Sequence, residues 1–263
     1  MPASNPARRT TVITGARSGI GRATANLLRE QGQQVIGIDV SDSTVNADLA
    51  TAAGRAQAIA GVRERCPDGI DALIECAGLA HGNGASVMSV NYFAAVALAA
   101  GLRPLLARGT APRVAIVSSS ASFLATDEQL VQQCLDGDEA AARAKADALP
   151  KDSGVAYASS KRALTRWIRR TAPLPEWAGS GILVNGVSPG LVRTPMTEPL
   201  LATEQGRAIL AKAAPRAVVE PANPDDIALL LAFLASPDNR YLVGQVPYCD
   251  GGTDVLIRGD AVL

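Results

Sequence analysis

Short runs of β-branched residues alternate along this chain with longer stretches whose apolar positions recur at helical spacing. The runs predict strands at Thr11–Thr14, Gln34–Ile38, Ile70–Cys76, Arg113–Ser118, Ile182–Val187 and Gln245–Cys249. Between them the pattern predicts helices at Gly19–Gln31, Thr51–Arg65, Ser86–Ala107, Val155–Thr171 and Pro224–Ala235. In the last helix, Leu229, Leu230, Phe233 and Leu234 have the spacing of a buried stripe. Pro224 with Asp225 and Asp226 suits a helix start, where proline needs no N–H and carboxylates meet the positive end. Helices between successive strands imply crossovers, so the expected fold is α/β: a doubly wound parallel sheet with helices on both faces.

Two segments interrupt the alternation. Phe123–Ser153 is alanine-rich and charged, and reads as two short helices broken near Gly137. Leu191–Pro221 holds four prolines and also Leu191, Met196, Leu200, Leu201, Ile209 and Leu210. Segments of this length are often lids or binding loops; for the first, a plain surface insertion is an equal reading. No repeat and no shift in composition marks a boundary, so residues 1–263 are expected to form one domain.

Composition narrows the function classes. At 48% hydrophobic, the chain can build a substantial core. Lys+Arg and Asp+Glu are both 25, so no net field draws in nucleic acid or an anionic membrane, and neither is an expected partner. The longest apolar stretch, Ile227–Ala235, is far short of the ~20 residues a bilayer requires. Arg8 and Arg9 have no apolar region behind them, so no secretory signal is expected. Cys66, Cys76, Cys134 and Cys249 are scattered, and with one histidine in the chain no metal site is expected. The expectation is a soluble cytoplasmic protein with reduced thiols.

The first strand runs straight into Thr14-Gly15-Ala16-Arg17-Ser18-Gly19-Ile20-Gly21. A helix N-terminus carries unpaired N–H groups and partial positive charge, so it can hold a pyrophosphate where the chain can approach closely. Gly15 makes the sharp turn, Gly19 leaves room for a phosphate, and Gly21 lets helix and strand pack tightly. A strand, glycine turn and helix in this order suit a phosphate cradle more than a glycine-rich turn with no ligand, although the spacing is G-x-x-x-G-x-G rather than G-x-G-x-x-G. Asp39 ends the second strand, where a carboxylate accepts hydrogen bonds from ribose hydroxyls and repels a 2′-phosphate. NAD is therefore favoured over NADP, although Arg17 argues weakly the other way. Asp48 is a further candidate for the adenine edge, or an ordinary loop aspartate.

Tyr157 and Lys161 are four residues apart on one predicted helix, so ammonium and phenol share a face. Lowering a tyrosine pKa by ~3 units requires ~4 kcal/mol of preference for the phenolate. One positive charge at ~4 Å supplies about that at an effective dielectric of 20, so the pair makes a reasonable general acid/base. Ser118, Ser119 and Ser120 end a strand, where open α/β sheets bind ligands. A hydroxyl there can stabilise a carbonyl turning into an alkoxide. Asn91, inside an apolar helix, is out of place unless its amide has a partner. His81 reads as a loop residue.

Together these residues resemble the short-chain dehydrogenase/reductase family over nearly the whole chain. Thr14–Gly21 is similar to its T-G-x-x-x-G-I-G turn, Tyr157/Lys161 to its Y-x-x-x-K, and Asn91 and Ser119 to its helix asparagine and active-site serine. Asn185, Pro189-Gly190 and Thr194 are similar to the segment that holds the nicotinamide side of the cofactor. Cys76-Ala77-Gly78 stands where the family has N-A-G. The resemblance implies hydride transfer between NAD and a carbinol carbon. Tyr157 would exchange the proton, Lys161 would lower the tyrosine pKa and bind the nicotinamide ribose, Ser119 would position the oxygen, and Asn91 would hold a relay water. It also places Gly15, Arg17, Ser18, Gly19, Ile20, Gly21, Asp39, Asp48, Leu49, Cys76, Ala77, Gly78, Pro189, Gly190, Val192 and Thr194 around the cofactor.

Ser119 and Tyr157 are farther apart than in most members, so the 123–153 segment is an insertion with both flanks catalytic. In that, the chain is similar to the bacterial 3α-hydroxysteroid dehydrogenase/carbonyl reductases and the coniferyl-alcohol dehydrogenases. The substrate implied is a hydrophobic alcohol or its ketone or aldehyde, resembling a steroid, terpenoid or aryl alcohol. Members pair through helices corresponding to Ser86–Ala107 and Val155–Thr171. An insertion beside the second points to a homodimer through another surface rather than a homotetramer. The competing readings are a non-catalytic dinucleotide-binding regulator, which would have lost the tyrosine or lysine, a sugar-nucleotide enzyme, which needs more chain, and an enoyl reductase, with a wider tyrosine-to-lysine spacing.

Overall fold

A computed structural model describes residues 8–150 and 153–260. Lys151 and Asp152, inside the expected insertion, lie outside the described residues, as do residues 1–7 and 261–263. The chain runs β1 (Thr10–Thr14), α1 (Gly19–Glu30), β2 (Gln34–Asp39), β3 (Val45–Asn46), α2 (Ala52–Arg65) and β4 (Ala72–Glu75). One long helix follows, made of α3 (Gly84–Met88), a wide π turn over Ser89–Ala94 and α4 (Ala95–Leu106). After β5 (Arg113–Val117) come α5 (Glu128–Leu135), α6 (Glu139–Asp147), α7 (Val155–Thr171) and β6 (Leu183–Pro189). The chain closes with α8 (Glu198–Leu201), α9 (Glu204–Ala213), α10 (Pro224–Leu234), β7 (Tyr248–Cys249) and α11 (Thr253–Arg258).

The seven strands form one parallel sheet in the order β3-β2-β1-β4-β5-β6-β7. This is the doubly wound α/β arrangement that the alternating pattern predicts. Strand side chains alternate between two cores. Val12, Leu73, Val114 and Ile116 pack with Ala58, Val62, Leu98, Leu102 and Leu164, from α2, α4 and α7. Ile13, Ile74, Ala115 and Val187 pack on the opposite face with Ala25, Leu28, Ile227 and Leu231, from α1 and α10. The order reverses between β1 and β4, which opens a crevice at the carboxyl ends of the strands.

Several boundaries differ from the sequence pattern. β3 is two residues long, too short to register as a periodic run, and exists because Ile38 pairs with Val45. Of Gln245–Cys249 only Tyr248–Cys249 is strand, since Pro247 has no N–H to give a ladder. The apolar maximum also lies elsewhere. Gly84–Leu106 is 23 residues long with mean hydropathy 1.6 in its most apolar window, so by length and composition it is long enough to cross a membrane. Ser86, Ser89, Asn91 and Arg103 interrupt its apolar run, and 67% of that window is buried inside the fold.

Candidate active site

At the carboxyl end of β1 the Gly15 amide donates to the Ile38 carbonyl at 2.9 Å and turns the chain toward α1. Gly19 has φ +52°, and a Cβ there would lie 3.3 Å from Thr194 Cγ2. A Cβ on Gly21 would lie 2.1 Å from the Gly15 carbonyl oxygen, so only glycine lets the helix start rest on the turn. Ser18, at the N-cap, makes no side-chain cap bond. The helix N-terminus is therefore open to a cavity of about 410 Å³ that Ser18, Gly19, Ile20 and Gly21 line. A cradle that any Cβ would fill, at an uncapped helix start, fits a pyrophosphate.

Every residue expected around the cofactor lines this cavity except Arg17. The Arg17 guanidinium instead turns to Ser41 Oγ at 2.8 Å and Asp42 at 3.3 Å, on the surface. Only its backbone N–H meets the site, donating to Asp39 at 3.0 Å. The Val40 amide also donates to that carboxylate, at 2.8 Å, which fixes Asp39 at the rim beside Asp48 and Leu49.

Ser119, Tyr157 and Lys161 line the same cavity. Gly154, with φ +69°, forms the N-cap of α7 and places Tyr157 in its first turn. Burial pushes the Tyr157 phenol above its ordinary value, and the nearby Ser119 hydroxyl acts to lower it. Lys161 Nζ lies 5.9 Å from the tyrosine ring centroid and donates to the Val117 carbonyl at 2.9 Å. Burial pulls the ammonium down to about 8, while Cys76 and Glu75 nearby act to raise it. The ammonium is thus tied to the end of β5, beside the tyrosine ring.

The structure decides between the strand-end serines. Ser118 Oγ turns into α7, to the Lys161 carbonyl and Thr165, leaving Ser119 to face the cavity. Asn91 does not line it. Its amide accepts from Leu79 N at 2.8 Å and donates to Leu79 O at 2.9 Å and Ser160 Oγ at 3.0 Å. With those bonds engaged, the side chain braces the loop after β4 against α7. Asn185 is likewise structural: it accepts from Gln245 N and donates to Leu242 O at 2.7 Å, away from the cavity.

Sequence reasoning passed over Leu79, Ser86 and Val90, which also line the cavity. Ser86 and Val90 are one helical turn apart, and that spacing beside Asn91 was the available signal. Met196, noted in the lid segment, lines the cavity with Thr197.

Comparison with known proteins follows the same layout. Residues 9–131 match the short chain dehydrogenase family, and residues 140–254 match the family described as enoyl-(acyl carrier protein) reductase. The 3-alpha-hydroxysteroid dehydrogenase/carbonyl reductase of Comamonas testosteroni is 40% identical over 255 residues, covering 94% of this chain and 97% of that protein. The cis-4-hydroxycyclohexanecarboxylate dehydrogenase of Sinomonas cyclohexanicum is 30% identical over 253 residues, covering 94% and 96%. Among solved structures, the 3-alpha-hydroxysteroid dehydrogenase from Pseudomonas sp. B-0831, complexed with NADH, superposes with a TM-score of 0.90. It is 36% identical, with 95% of this chain and 99% of that one covered.

Proposed function

Because this chain belongs to the short-chain dehydrogenase/reductase family, we propose that it interconverts a hydrophobic alcohol and its ketone or aldehyde with NAD, using Tyr157 as general acid/base. The observation that carries the reading is that Ser119, Tyr157 and Lys161 line the same cavity as the glycine cradle at the start of α1. NAD, when bound, supplies the hydride acceptor, and its reduced form the donor. Asp39 would accept hydrogen bonds from the ribose hydroxyls. With Arg17 turned away to Asp42, its charge is engaged and the Asp39 carboxylate opposes a 2′-phosphate there, which favours NAD over NADP.

Tyr157 gives its phenolic proton to the carbonyl oxygen in reduction and takes it from the hydroxyl in oxidation. Ser119 donates to the same oxygen as its charge changes. Lys161, held by Val117, keeps positive charge beside the ring and has N–H donors left for the nicotinamide ribose. Leu79, Val90 and Met196 line the space next to this triad, which suits a steroid-, terpenoid- or aryl-alcohol-like substrate. Tyr157→Phe is expected to lower kcat by at least about 10³-fold with NAD affinity nearly unchanged. Near wild-type kcat would overturn the assignment. NADH fluorescence over a panel of such alcohols, read with NAD and NADP, separates it from a non-catalytic regulator, which would bind without reducing the cofactor.

We also read the chain as a dimer that pairs away from α7. The insertion helix α5 buries Leu130, Val131 and Cys134, and Arg162 of α7 is held by Glu128 at 2.8 Å. Light scattering is expected to give twice the monomer mass, and a tetramer would contradict this.

A further inference from the structure

The end of β4 carries a carboxyl group that the chemistry above leaves unused. Glu75 is 4% exposed, and neither of its carboxylate oxygens has a hydrogen-bond partner. Leu73 packs toward α4 and α7 and Ile74 toward α1 and α10, so alternation sends Glu75 to the side of Leu73. In register it lies between Thr14 of β1 and Ile116 of β5. Lys161 descends on the same place from α7. Its Nζ donates to the carbonyl of Val117, the residue after Ile116, and lies 3.6 Å from where a Cβ on Gly78 would stand. The ammonium is thus tied to the end of β5 and sits beside the loop that follows β4, on the face of the sheet that Glu75 enters.

A leucine would fill this strand position with better packing, because a buried carboxyl without a partner destabilises the fold. What leucine cannot supply is charge. The groups around Glu75 are few: Lys161 from α7 is the charge that acts on it, with Tyr157 beyond, and the Cys76 thiol follows on its own strand. The wide turn before α4 brings Asn91, whose amide is already engaged, while β1 and β5 bring Thr14 and Ile116.

We propose, on the reading of Tyr157 and Lys161 as an acid/base pair, that Glu75 is a positioning residue whose carboxylate is the internal counter-charge of Lys161. It keeps the ammonium charged inside the fold and so extends upward the pH range over which Tyr157 works beside a cation. Burial drives Lys161 and Glu75 toward their neutral forms, and each opposes that drift in the other.

The test compares Glu75→Gln and Glu75→Leu with Glu75→Asp. In the pH profile of kcat/KM, the alkaline limb is expected to fall by about one pH unit in the Gln and Leu variants and to be restored toward wild type by Asp. An unmoved limb in Gln and Leu would overturn the role. A second readout needs no turnover: thermal midpoints of the cofactor-free protein for Glu75→Gln, Lys161→Met and the double variant. Glu75→Gln is expected to raise the midpoint, and by more when Lys161 is already Met; strict additivity overturns the pairing. If the wild type turns over no alcohol, or Tyr157→Phe stays active, the enzyme reading fails by itself and this cycle alone decides the Glu75–Lys161 pairing.

Discussion

The segment between Ser119 and Tyr157 and the segment after Gly190 both leave the strand ends beside the cavity, and they are held in opposite ways. In the first, Asp127 caps α5 by accepting from Leu130 N at 2.9 Å, and Asp138 caps α6 by accepting from Ala141 N at 2.9 Å. Gly137, with φ +79°, makes the break between them. Leu130, Val131 and Cys134 are buried beside α7, and Ala142 and Ala146 beside α3, where small residues allow close approach. Arg55 of α2, itself buried, reaches Glu139 at 2.6 Å, and Lys145 reaches Asp127 at 3.0 Å. The second segment buries almost nothing: no residue of α8 and only Gly206 of α9. It is tied at its ends, where the Thr197 hydroxyl donates to the Val192 carbonyl and Val192 bridges to Ala222. The first segment is a wall built into the core, while the second is tied near its ends, where the Ala217 and Val218 amides also donate to the Gly251 carbonyl, and its helices are mostly exposed. A long irregular stretch in the sequence therefore says little until its apolar residues are matched to a surface that can receive them.

Three measurements press on this contrast. The largest effect is expected from Leu130→Ala, which empties a fully buried site in the wall and should cost about 2–5 kcal/mol in chemical denaturation. A cost below about 1 kcal/mol would mean that the wall is not part of the core. Next comes the proton. On the proposed reading, Tyr157, which burial favours in its protonated form, would be ready to reduce a ketone at neutral pH and would have to lose that proton to oxidise an alcohol. With its pKa raised, kcat/KM for oxidation should climb about tenfold per pH unit from neutral pH up to the alkaline limb set by Lys161, while reduction holds level over the same range. An oxidation profile that is flat from neutral pH upward would contradict it. The smallest effect is expected from Ile209→Ala in the lid, where the side chain is 52% exposed. Stability should stay within about 0.5 kcal/mol of wild type, any change should appear in KM, and the acid limb set by Tyr157 should not move. A shifted limb would show that the lid is coupled to the proton.

Much of this was legible before any coordinates. The strand-to-glycine-to-helix junction and the Tyr157–Lys161 spacing depend on local sequence, and local rules place them. The helix Val155–Thr171 has the expected bounds because Gly154 sets its start and its apolar stripe is continuous. What escaped depends on partners distant in sequence. Arg17 reads as a phosphate ligand until Ser41 and Asp42 fold next to it. Asn91 and Asn185 read as site residues, yet their amides are consumed by Leu79, Ser160, Leu242 and Gln245. Glu75 passed unnoticed inside a predicted strand, since periodicity records that a residue faces a core and not that it is a stranded charge.

The outline of the sheet has a further consequence. Both of its borders, Val45–Asn46 and Tyr248–Cys249, are two-residue strands, and the second is preceded by Pro247. Next to that border, Asn185 fills main-chain positions with its own amide. A long open edge is a template on which another chain can add a strand and seed aggregation. Here β1, β4 and β5 are paired on both sides, and the two-residue strands β3 and β7 cover the carboxyl ends of β2 and β6. The fold thereby guards its most adhesive backbone from cross-β growth, independently of its chemistry.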